Sequence, residues 1–187
     1  GPTQVRTTHE GGSFGTYSQA TTISGGTENF WYSLSGAWFT SDGFSAASAG
    51  TENDGYENGT LSGRVGALLT DDWDFDVSWR YVDSDVDLDG FMADAARNLD
   101  NEQFFLRAQT TLTQLDGMLE HRAGYSFASY KRDDRGGFQS FFDGTSHQFD
   151  YQAKLTTIDD GCFKHSVTGG VEHIHEDILQ DTSSMFI

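Results

Sequence analysis

Side-chain character alternates with a period of two over segments of ten or more residues. Phe30, Tyr32, Leu34, Gly36 and Trp38 fall on one side of such a segment, and Trp31, Ser33, Ser35, Ala37 and Phe39 fall on the other. An extended strand repeats at this period and a helix does not, so the pattern dictates pleated strands with two unlike faces. Trp73, Phe75, Val77, Trp79 and Tyr81 repeat it against Asp74, Asp76, Ser78, Arg80 and Val82. A dry core does not accept that many unpaired charges, so the second face is wet. The same division recurs in Leu61 to Leu69, Phe104 to Leu112, Leu119 to Phe127 and Phe149 to Leu155.

Turn signals at Gly25-Gly26, Asp71-Asp72, Asp116-Gly117 and Asp160-Gly161 punctuate these segments at nearly even intervals. Between them lie longer polar connections, at Ser41 to Gly59, Ser84 to Asn101 and Lys131 to Thr145. Short and long links therefore alternate, which gathers the long loops at one end of a sheet. The expected strands cover 4–11, 15–24, 29–40, 59–70, 73–84, 102–113, 118–131, 146–157 and 162–175, with one helical turn over Phe91 to Leu99. The fold class is all-β: antiparallel up-and-down hairpins forming a barrel or part of one, in a single domain over 1–187. Gly1-Pro2, at the start of that span, reads as a protease-cleavage scar.

Composition agrees with strands and narrows the function. Aromatics make up 14% of the chain, with 22 Gly against 1 Pro, a balance suited to pleated strands and tight turns. Eleven basic against 29 acidic residues give a net charge of −18, which repels polyanions and leaves no basic track for nucleic acid. No apolar run is long enough for a membrane-spanning helix. Ten-residue strands with one apolar face, by contrast, cross a bilayer when they close into a barrel that pairs every backbone group. Trp31, Trp38, Trp73, Tyr81 and Phe91 lie near strand ends, where interfacial aromatics belong. The same alternation also suits a small soluble barrel with its apolar face inward, because periodicity does not say which face is outside.

The opening Val5 to Tyr17 (VRTTHEGGSFGTY), followed by Phe30 to Phe39 (FWYSLSGAWF) and Ser41 to Ser45 (SDGFS), resembles the first barrel strands of TonB-dependent outer-membrane receptors, nearest to their cobalamin-transporter branch. The likeness is cumulative along the chain and strongest up to about Phe91. It implies a parent protein in the outer membrane of a Gram-negative bacterium that imports a large scarce nutrient, a corrinoid or an iron chelate. Such receptors enclose a plug within a barrel of about 22 strands. This sequence carries neither plug nor energy-coupling box, and about nine strands do not close that barrel. The chain is therefore expected to be a segment that does not transport alone, with outer-membrane lipid or detergent as its surroundings. The alternatives are a soluble β-barrel binding module and a fragment that forms homo-oligomers through open strand edges.

Acidic loop residues bind calcium in the cobalamin branch. On that resemblance Glu52 and Asp54 form one candidate ligand segment and Asp87 and Asp89 another, with Ser45 where a carboxylate is expected. Hard calcium takes six to eight oxygens, which converging carboxylates supply. His173 and His175 share a strand face and, with Glu176, invite a metal reading that lacks a third evident ligand. Cys162 is the only cysteine and reads as a passive free thiol. No nucleophile elbow, phosphate loop or acid/base pair stands out, so no enzymatic activity is expected.

Overall fold

The computed structural model describes residues 1–45, 47, 50–89, 97–136, 139–158 and 164–183. These form nine strands: β1 Gln4–Gly11, β2 Tyr17–Gly26, β3 Phe30–Ser41, β4 Tyr56–Thr70, β5 Trp73–Leu88, β6 Arg97–Gln114, β7 Leu119–Arg135, β8 Gln139–Ile158 and β9 Lys164–Ser183. They make one antiparallel sheet in sequence order from β1 to β9, and no described residue is helical. The sheet is open, with β1 and β9 as its edges. Being first and ninth in an antiparallel succession, these two edges run in the same direction.

Register carries the alternation from strand to strand. Leu34 lies opposite Gly63, Gly63 opposite Trp79, Trp79 opposite Leu106, Leu106 opposite Phe127 and Phe127 opposite His147. The apolar faces of successive hairpins therefore merge into one band. A single-residue slip anywhere would send half of it to the other side. No second layer covers it: no described apolar residue is buried, and Trp38, Val65, Trp73, Phe75 and Phe149 stay 46%, 45%, 42%, 41% and 55% exposed. Cross-strand ring contacts knit the band, with Tyr125 and Phe149 centroids 4.8 Å apart and Phe104 and Phe127 6.1 Å apart.

The strands run further than the apolar alternation indicates. β5 continues to Leu88, β6 begins at Arg97, β7 reaches Arg135 and β8 starts at Gln139. On the outer rungs of β5 and β6, charged and amide side chains take over the face that carries Trp79, while Val86 still pairs with Leu99 on the other face, and cross-strand polar bonds join the ladder there. Asn98 Nδ2 donates to Asp85 at 2.7 Å, and Arg135 meets Asp100 at 2.8 Å. Residues 97–99, expected in a helical turn, belong to β6, while 91–96 lie outside the described residues. Gly25 and Gly26 are the last rungs of β2 and not the turn itself; Gly26 pairs with Trp31, and the Thr27 N–H donates to the Phe30 carbonyl at 2.7 Å. The Asp71-Asp72 turn links Thr70 to Trp73, as the alternation requires. Asp160-Gly161 lies outside the described residues.

Candidate functional site

The polar face of the sheet holds most of the organised chemistry. On β4 and β5, Arg64 clasps Asp76 through Nε at 3.0 and 2.8 Å to the two carboxylate oxygens. Asp76 also accepts from the Trp31 indole N–H at 3.2 Å, although Trp31 stands on β3, two strands away. The indole reaches it by lying across Gly66, which pairs with Trp31 on one side and Asp76 on the other; a Cβ at Gly66 would run into the ring. The arrangement is repeated further along. Arg107 on β6 crosses Gly124 on β7 to grip both oxygens of Asp150 on β8, one bond measuring 2.9 Å, and it also donates to Ser126 at 3.0 Å. In each case a glycine opens a channel through which a long side chain reaches the second strand over.

A third pair closes the long-loop end of this face. Arg97 forks onto Asp134 at 2.9 and 2.6 Å, and Asp134, 4% exposed, is the most enclosed charged residue described. The guanidinium hydrogen bonds hold the Asp134 carboxyl below its ordinary value and raise Arg97 in turn. On the opposite face of the same rungs, Asp100 shares a hydrogen bond with Asp85, its partner across the β5–β6 ladder. That bond, followed by burial, pushes Asp100 up, and Arg135 offsets part of the effect.

The acidic loop residues are brought together only in part. The Asp87 N–H donates to the Gly55 carbonyl at 2.9 Å, and the Asp87 carboxylate lies 3.0 Å from where a Gly55 Cβ would stand, so Asp87 packs beside the Asp54 segment. Asp89 Oδ2 accepts from Ser45 Oγ at 3.2 Å and from the Ala47 N–H at 2.5 Å, while Asp89 Oδ1 is enclosed without a hydrogen-bond partner among the described residues. Ser45, standing where the resemblance calls for a carboxylate, thus serves as a donor to Asp89. Glu52 is exposed. The donor chemistry suits a hard cation, yet among the described residues no three His, Cys, Asp or Glu side chains group closely enough to hold a metal.

His173 and His175 share the apolar face, His173 opposite Phe149 and His175 opposite His147, with His175 Nε2 3.1 Å from Asp177. Glu176 projects to the other face, beside Ser146 Oγ at 3.5 Å, so the three do not converge as the metal reading of that sequence run requires. Cys162 lies outside the described residues. Sequence reasoning missed the Arg64–Asp76 and Arg107–Asp150 clasps. The first was accessible from strand parity and the two-residue Asp71-Asp72 turn, which together place Arg64 opposite Ser78 and one diagonal from Asp76. The second needs the registers of both β6–β7 and β7–β8. No family model and no curated protein sequence matches this chain.

Proposed function

We propose that the chain forms part of the wall of a TonB-dependent outer-membrane transporter for a large scarce nutrient, a corrinoid or an iron chelate, and that it does not transport by itself. In this reading the apolar band faces lipid, and the face bearing Arg64, Arg107 and their carboxylates lines the lumen. One observation carries it: a continuous apolar band across a single-layer sheet, with Trp38 and Trp73 nearly half exposed and no layer of described residues packed over them. Contiguous apolar surface on that scale requires a covering, and a bilayer supplies one for strands of this length. The two longest connections, 42–55 and 89–96, leave the same end of the sheet and the two-residue 71–72 turn leaves the other, as in outer-membrane barrels, although the connection expected over Lys131 to Thr145 shrinks to 136–138. The resemblance of Val5 to Tyr17 and Phe30 to Phe39 supplies the family.

The open edges favour a second reading, in which copies of the chain associate edge to edge. β9 has 20 residues and presents one side of its backbone unpaired. Both readings are tested by following the purified chain through detergent removal in a sedimentation experiment. The lipid-facing reading predicts monodisperse particles in micelles and precipitation or large aggregates without them. A monodisperse monomer in plain buffer would refute it, and a discrete dimer there would favour the edge-paired form.

A further inference from the structure

One hollow on the polar face, of about 500 Å³, inverts the charge of the molecule around it. In a chain of net charge −18, its lining contains three arginines, Arg64, Arg80 and Arg107, five serines and no carboxylate. Two of the arginines are already matched, Arg64 by Asp76 and Arg107 by Asp150. Arg80 is not. It stands on β5 between the two clasps, opposite Ser62 on β4 and Phe105 on β6, and it is exposed. Among the described residues it has neither an ion pair nor a side-chain hydrogen bond. Two residues earlier, Ser78 shares its face, so Ser62 and Ser78 border the same hollow as Arg80.

This is the donor set an oxyanion requires. A guanidinium presents a planar fork of N–H groups that fits two oxygens of a carboxylate or phosphate, and hydroxyls supply further donors at adjustable angles. The flanking clasps contribute little net charge, but they fix Arg64 and Arg107 so that neither swings over to compete for the same anion. We propose that the Arg80 hollow binds a small oxyanion, a phosphate or carboxylate group borne by a solute. The inference goes beyond the transport reading and does not depend on it, because the hollow is the same whether lipid or water covers the other face.

The test uses the whole chain in micelles, labelled with ¹⁵N-arginine, and follows the Arg Nε–Hε resonances during titration with sodium phosphate and, separately, sodium acetate. Sodium chloride at matched ionic strength serves as the control. The proposal expects one resonance to shift saturably with phosphate, acetate or both, and to be the resonance missing from Arg80→Gln. Saturation by one salt alone identifies which group the hollow prefers. No resonance should shift saturably in Arg80→Gln, and Ser62→Ala should weaken binding by about tenfold, as the loss of one charge-assisted hydrogen bond implies. Arg80 has no described partner in the fold, so the variant is expected to retain its strand circular dichroism, and that spectrum is recorded alongside. Shifts that follow chloride equally, or saturable binding that persists unchanged in Arg80→Gln, would overturn the proposal.

Discussion

Two glycines decide how the polar face is wired. At Gly66 and Gly124 the absence of a side chain lets Trp31 and Arg107 pass over a whole strand to Asp76 and Asp150. Replacing either glycine with leucine would displace the crossing side chain and strand its carboxylate partner. We expect each variant to lose about 1–3 kcal/mol, read as a lower urea midpoint in micelles; an unchanged midpoint would show that the bridges contribute nothing. A titration tests the Arg97–Asp134 clasp. The folded-state pKa of Asp134 is depressed from 3.8, so its contribution is complete above that value and is lost as pH falls through the lowered one. Arg97 remains accessible to water, so Asp134→Asn should cost about 1 kcal/mol near neutrality and nothing once the wild-type carboxyl is protonated. An equal deficit at both pH values would contradict this. The Arg107–Asp150 bridge was not legible in the sequence, because nothing in β6 or β8 alone shows that the residue between them is a glycine in the matching rung.

At the scale of the strand, the sequence revealed the middle of each element and concealed its ends. Apolar alternation marks where a strand has two unlike faces, and on β5 it stops near Tyr81 while pairing continues to Leu88. Beyond that point the face that carried Trp79 holds Asp83, Asp85 and Asp87 while Val82, Val86 and Leu88 stand on the other, so the pattern inverts although the backbone ladder does not. Charge-bearing rungs such as Asp85–Asp100 and Asp87–Asn98 look like loop when one strand is read by itself. Backbone pairing also differs between the interior and the edges of the sheet. β9 pairs with β8 from Lys164 to Ser183 and with no other described strand, so alternate amides point away from any partner. Hydrogen exchange of the chain in micelles should find every second β9 amide unprotected while those of β5, β6 and β7 exchange slowly. Uniform protection along β9 would mean that something pairs with its free edge.

The described residues form a single sheet with an apolar face and a polar face, and the proposed function turns on which of the two would meet lipid. All-β architecture, strand number and hairpin order were legible in advance, because alternation and turn spacing are local. Openness was expected from strand number, as part of a barrel too large for nine strands to close, with a small closed barrel as the alternative, and the sheet is open. The candidate calcium residues were located by resemblance, and the fold brings Asp87 beside the Asp54 segment and Asp89 to Ser45 without drawing Glu52 in. The central claim, that the Trp79 face lies against acyl chains and the Trp31 face against water, is tested most directly by fluorescence of two single-tryptophan variants in bilayers. One variant retains Trp31 and the other Trp79, with the remaining tryptophans changed to phenylalanine. Brominated acyl chains should quench Trp79 and spare Trp31, while aqueous iodide does the reverse. Quenching of Trp31 by lipid with Trp79 left to iodide would contradict the account.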